Sequence, residues 1–178
     1  MLRIRDTAVV IVDVQTKLIT AIHQAERTVD NTRRLLAAAN VLDLPIVWTE
    51  QNPDALGPTV SELTGLLPGE PITKMTFSCC GSQKFLDDLA DRGKPQVLLA
   101  GIETHVCIYQ TAVDLMAAEY EVHVVADAVS SRDPENRAVA LDKMRHAGAE
   151  ITTVETAIFE LLVTAEHERF RDILKIVK

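Results

Sequence analysis

Apolar runs of strand length recur along the chain, separated by stretches with helical spacing, and this alternation limits the fold more than any other feature. "TAVVIVD" (7–13), "PIVWT" (45–49), "QVLLAG" (96–101), "EVHVVAD" (121–127) and "AEITTV" (149–154) read as strands, with "EPITK" (70–74) a weaker sixth. Three of these runs are nearly continuous in Val, Ile, Leu and Ala, as in strands covered on both faces. Helical patterns fall at 28–42, 82–92, 105–119, 134–147, 156–163 and 166–176. The one at 134 is well punctuated, with Asp133 as N-cap, Pro134 in the first turn and Gly148 just past the end. Strands alternating with helices imply an α/β domain with a mostly parallel sheet, right-handed crossovers and helices on both faces. No linker, repeat or low-complexity stretch divides the 178 residues, so 1–178 reads as a single domain.

Ligands in doubly wound folds bind outside the carboxyl ends of the strands, where the strand order reverses. The residues to read are therefore those that follow each strand: Asp13 to Gln15, Thr49 to Gln51, Lys74, Gly101 to Cys107, and Asp127 to Arg132. The bulk chemistry narrows the partners. A net charge of −8 with no basic run disfavours nucleic acid and anionic lipid. The start "MLRIRDTAVVIVDVQ" lacks the features of a signal peptide, and no apolar stretch approaches membrane-spanning length, so a cytoplasmic location is expected. Three cysteines without a CxxC spacing argue against a disulfide framework or a zinc knuckle. From Val106 to Ala118 the only charged residue is Asp114. A helix apolar nearly all round is covered, either by its own domain or by a second subunit, and the latter predicts a homo-oligomer.

Cys107 opens the helix that follows a central strand. There the free N–H groups and the helix dipole favour a thiolate, which predicts a lowered pKa and a nucleophile. The same position suits a small buried hydrophobe, because free cysteine is among the most buried residue types. Asp13 ends a buried strand and reads either as a general base or as a cap for the following turn. Lys74 reads as an electrostatic partner for the two or as a solvated surface group. If its strand lies two places from the first, it starts about 10 Å away and needs a loop that curls inward. His105 stands two residues from Cys107, which on a helix directs it elsewhere, so it reads as a rim residue. Cys79 and Cys80 read as packing residues, and Asp127 and Arg132 as turn and ion-pair residues. The five histidines show no ligand-like spacing, so neither a metal nor another cofactor is expected.

"VVIVDVQ" with Asp13, "ITKMTFS" with Lys74 and "LLAGIETHVCIYQTAVDL" with Cys107 together resemble the isochorismatase-like cysteine hydrolase family. "WTEQNPDALGPTV", "GIETHVC" and "VVADAVSSR" are most similar to its isochorismatase-domain-containing branch, over residues 5–165. The resemblance implies a three-layer αβα fold around a six-stranded parallel sheet of order 3-2-1-4-5-6. It also implies a catalytic triad in which Cys107 is the nucleophile, Asp13 the general base and Lys74 the electrostatic partner. A cis peptide at Ile102–Glu103 would precede the nucleophile, with the N–H groups of Glu103 and Cys107 forming an oxyanion hole. Gln15, Gln51 and Phe77, near the ends of the first three strands, are candidate substrate contacts.

Two departures narrow the implied activity. Nicotinamidases of the family carry an Asp and His metal site after the second strand, where this chain has "TEQ". True isochorismatases lack the cysteine, so Cys107 favours acyl transfer through a thioester and a small amide-like substrate. The alternatives are a catalytically retired scaffold and a small-ligand-binding module. The latter is weakened by the absence of any GxGxxG or Walker loop.

Overall fold

The computed structural model describes every residue from Met1 to Lys178. Six strands, β1 Thr7–Val12, β2 Ile46–Gln51, β3 Ile72–Lys74, β4 Gln96–Ile102, β5 Glu121–Ser130 and β6 Glu150–Thr152, form one sheet. Its order is β3-β2-β1-β4-β5-β6, and every neighbouring pair is parallel. The order reverses between β1 and β4, the two central strands, and both are buried throughout.

Alternate residues of β1 divide the core. Val9 and Ile11 join one apolar cluster with Leu35, Leu36, Ile158 and Ile173, which places the helices Ala25–Val41, Val154–Leu162 and Phe170–Val177 on one face. Ala8, Val10 and Val12 join the other cluster with Phe85, Leu89, Leu115 and Met144, from helices Gln83–Asp91, Tyr109–Ala117 and Pro134–Ala147. The run is apolar without alternation because both faces are covered, which makes three layers. No helix is long and apolar enough to cross a membrane.

Four local features differ from the sequence expectation. β2 runs two residues past "PIVWT", so Glu50 and Gln51 belong to the strand end. β5 continues to Ser130, because after a register shift Val129 and Ser130 pair with Gly101 and Ile102. The helix expected over 105–119 begins as a wide turn, Thr104–Ile108, in which Ile108 N–H reaches back five residues to Glu103 O at 3.2 Å. Turns of four residues at Thr16–Ile19, Pro53–Leu56 and Ser61–Thr64 are too short for a periodic signal. Asp133 caps its helix as expected, its Oδ1 accepting from Glu135 N–H at 2.8 Å, and Gly148 closes it in the left-handed conformation. The apolar helix after β4 is covered largely by its own domain: Thr111, Ala112 and Leu115 are buried, while Gln110 and Asp114 face outward.

Gly101 is the tightest point of the sheet. Its φ is +125°, and a Cβ there would lie against the Val12 carbonyl and 2.7 Å from Val12 N. Those atoms are backbone of a central strand and cannot yield. Gly101→Ala is expected to cost roughly 2–5 kcal/mol, from the left-handed conformation and overpacking together. Urea denaturation checks this, and a variant within about 0.5 kcal/mol of the parent, the range of a neutral surface change, would contradict it.

Candidate active site

The site begins where β1 stops. Asp13 has φ +53°, a left-handed conformation that aspartate tolerates better than most residues and that turns the chain as it leaves the strand. Asp13 N–H donates to Thr49 O at 3.2 Å, and Gln15 N–H returns to Asp13 O at 2.8 Å. The carboxylate is fully buried. Its Oδ1 accepts from Thr49 Oγ1 at 2.8 Å and its Oδ2 from Lys74 Nζ at 2.6 Å.

Lys74 ends β3, two places from β1, so its side chain must bridge the width of β2. It does so because the following loop folds back over the ammonium. Nζ donates to Thr76 O at 3.0 Å and Phe77 O at 3.1 Å as well as to Asp13. An ammonium has three N–H donors, and all three are satisfied without water. The ion pair has no side-chain exposure on either partner. Isolated, either charge would be costly there; paired and hydrogen-bonded, they hold each other in place. The capping alternative for Asp13 and the surface alternative for Lys74 are thereby set aside.

Cys107 approaches from β4. The peptide Ile102–Glu103 is cis. The Glu103 carboxylate is clamped by Arg132, whose backbone N–H lies 2.9 Å and Nε 3.0 Å from Oε2. The wide turn then carries Cys107 inward, 5% exposed, with its thiol donating to Gln51 Oε1 at 3.3 Å. Burial pushes the thiol pKa up, the charge of the Asp13 carboxylate pushes it further, and the Lys74 ammonium opposes only in part. This corrects the expectation of a lowered pKa at a helix start. Desolvation and the adjacent carboxylate outweigh the ammonium. The resting group is a neutral thiol beside a proton acceptor.

The remaining candidates separate by their partners. Gln51 reaches the thiol, but Gln15 does not. Its Nε2 donates to Gln51 O at 3.0 Å and Gly57 O at 2.7 Å, and its Oε1 accepts from Gln51 N–H at 2.8 Å. Gln15 thus shapes the wall that presents Gln51 and leaves no free polar atom for a ligand. Phe77 is half exposed above Lys74. His105 bonds Ser131 Oγ at 3.0 Å rather than the thiol. Arg132 forms the expected ion pair, with Glu103, whereas Asp127 accepts from Val154 N–H at 2.9 Å and has no cationic partner within 4.0 Å. No three His, Cys, Asp or Glu side chains converge in a way that would hold a metal ion, and Glu50 is occupied by Thr59 N–H at 2.6 Å and Thr59 Oγ1 at 2.8 Å.

Two further residues complete the site. Thr49 orients Asp13, and an internal strand threonine is indistinguishable from a packing residue. Cys79 is fully buried with its Sγ 3.8 Å from Thr49 Oγ1, so it forms part of the wall behind the ion pair. Burial raises its pKa to about 12, and that of Cys80, on the adjoining loop, to about 11.

The isochorismatase domain matches residues 7–156. Isochorismatase domain-containing protein 2A of Mus musculus is 44% identical over 170 residues, 93% of this chain and 80% of that one. Among solved structures, the MAR1 ribonuclease of Caenorhabditis elegans superposes with a TM-score of 0.93 at 37% identity, over 99% of this chain and 91% of that one. Two YcaC proteins are also similar. That of Pseudomonas aeruginosa, with hexane-2,5-diol and covalent acrylamide, has a TM-score of 0.91 at 27% identity, over 98% of this chain and 90% of that one. That of Escherichia coli, described as an octameric hydrolase of unknown specificity, has 0.89 at 26%, over 98% and 94%.

The buried pair makes a stability prediction. Asp13→Asn leaves the Lys74 ammonium buried without a counter-charge and should cost about 3–5 kcal/mol. Adding Lys74→Met removes the stranded charge and should recover most of that loss. Denaturant titration of the two single variants and the double variant measures the coupling. Additive losses would contradict it.

Proposed function

The chain belongs to the isochorismatase family, and on that footing we propose that it is a cysteine hydrolase of small amide-like substrates, acting through Asp13, Lys74 and Cys107. The fold is that of an isochorismatase-family hydrolase. The observation that carries the finer reading is the Lys74–Asp13 pair at 2.6 Å, sealed from solvent, with its carboxylate beside the Cys107 thiol.

In this reading the substrate carbonyl enters at the mouth formed by Gln51 and Phe77. Cys107 Sγ attacks the carbonyl carbon as its proton passes to Asp13, and the carbonyl π electrons move to oxygen. The N–H groups of Glu103 and Cys107 hold the oxyanion. Collapse expels the amine, which takes the proton from Asp13, and leaves a thioester. Asp13 then accepts a proton from water, whose oxygen attacks the thioester, and the thiol departs with that proton. Lys74 keeps its proton throughout and steadies the carboxylate in both states. A neutral resting thiol suits this sequence, because the proton leaves only when a carbonyl is present to be attacked.

Several observations support the specificity. The nearly closed approach to Cys107 favours small substrates, and "TEQ" at the end of β2 lacks the nicotinamidase ligands. The covalent acrylamide on the Pseudomonas aeruginosa YcaC is a small amide taken up by the same fold. RNA, suggested by the name of the Caenorhabditis elegans neighbour, is opposed by the net charge of −8. The octameric Escherichia coli relative favours self-association, and a nucleophilic thiol requires a reducing compartment.

A screen of small amides for ammonia or amine release identifies a substrate. On it, Cys107→Ala should lower turnover at least about a thousandfold, the scale seen when a nucleophile is removed from a catalytic triad. A variant that hydrolyses the amide as fast as the parent would refute the mechanism.

A further inference from the structure

A second polar cleft lies at the carboxyl end of β5, apart from the Asp13–Lys74–Cys107 cluster. It measures about 250 Å³ and is lined by residues from the starts of two long helices and the end of β5, among them His23, Arg27, Asp127, Ser130 and Arg137. None of the groups that touch Cys107 or Lys74 lines it.

Its charge is unusual for this chain. Apart from the exposed Arg171, the other arginines meet carboxylates: Arg33 and Arg34 share Asp30, Arg92 meets Asp88, and Arg132 meets Glu103. Arg27 and Arg137, in a protein of net charge −8, have no carboxylate within 4.0 Å, yet they face the same cleft. Arg137 is half buried and is held rigidly, Nε donating to Val129 O at 3.0 Å and Nη2 to Ala126 O. Those bonds spend two of its five donors and leave Nη1 free. Burial and the nearby Arg27 charge both disfavour its cation, and Asp127 only partly compensates. Asp127 is itself engaged through Oδ1 with Val154 N–H at 2.9 Å, and Asp133, at the rim, caps Glu135. Arg27 is exposed, its Nη1 resting on Gln24 Oε1 at 3.2 Å. On the cleft floor Ser130 Oγ and the His23 backbone are tied together at 2.7 Å, so the wall is preformed.

Two guanidiniums that form no ion pair, one fixed by the backbone, at the positive ends of two helices, outnumber the single Asp127 carboxylate in the cleft lining and make a preorganised receptor for an oxyanion. We propose that this cleft binds phosphate, either free or as the phosphate group of a small ester. One basic cleft on an acidic surface admits a small anion and repels a polyanion. The proposal is independent of the hydrolase reading, since it shares no residue with it.

The test is calorimetric titration of the full chain with inorganic phosphate against sodium chloride of matched ionic strength. Saturable binding of phosphate alone is expected. Arg27→Gln, at an exposed position that should not disturb folding, should weaken it about tenfold, the scale of a charge-assisted hydrogen bond. Arg33→Gln, on the same helix but paired with Asp30, should leave it unchanged. Arg137→Lys retains the charge but loses the fork and should also weaken binding. Glycerol 3-phosphate binding more tightly than phosphate identifies a small ester as the occupant; equal binding identifies the free anion. No saturable binding of either, or binding that Arg27→Gln leaves intact, would overturn the proposal.

Discussion

The site depends on a single ion pair that spans a strand. Lys74 lies at the end of β3 and Asp13 at the end of β1, and the side chain that joins them crosses the end of β2 out of contact with water. A buried pair of this kind contributes little net stability, because desolvation offsets most of the attraction. Its effect is on geometry. Each partner is held by further bonds, Asp13 by Thr49 and Lys74 by the carbonyls of Thr76 and Phe77, so the carboxylate has one orientation and the loop over it has one path. That orientation puts a proton acceptor beside Cys107.

The sheet supplies the rest. Strand order reverses between β1 and β4, the place where doubly wound sheets bind ligands, and the close passage of Gly101 against Val12 draws the start of the Cys107 turn next to Asp13. Beyond it, Arg132 anchors Glu103, and the wide turn brings Cys107 inward. The two faces of β1 are filled by separate apolar clusters, so the site rests on strands that cannot shift without unpacking both layers.

Much of this was legible in the residues. The uninterrupted apolar runs 7–13 and 96–101 marked strands covered on both sides, and the residues just beyond them included Asp13 and Cys107. The sheet order, by contrast, followed from the family resemblance rather than from the runs themselves. Whether Lys74 could reach Asp13 was not legible, since it depends on main-chain carbonyls of a loop with no motif. The direction of the Cys107 pKa was not legible for a related reason: a helix start is visible in sequence, whereas burial beside a carboxylate is a tertiary property. Gln15 looked like a substrate contact because it follows a strand, but its amide is consumed by backbone groups of residues 51 and 57. Arg27 and Arg137 gave no signal at all, because they are far apart in the chain and only the fold brings them to one cleft.

The most direct test of the central claim, that the ion pair arms Cys107, is competition among the three free thiols for acrylamide. Cys80 is the more accessible thiol and its pKa, about 11, is the least raised, so exposure and acidity alone would direct the reagent there. If Asp13 accepts the thiol proton as sulfur adds to the alkene carbon, peptide mass mapping at neutral pH will find Cys107 alkylated first, and Asp13→Asn will abolish that preference. Alkylation of Cys80 ahead of Cys107 in the parent protein would contradict the account.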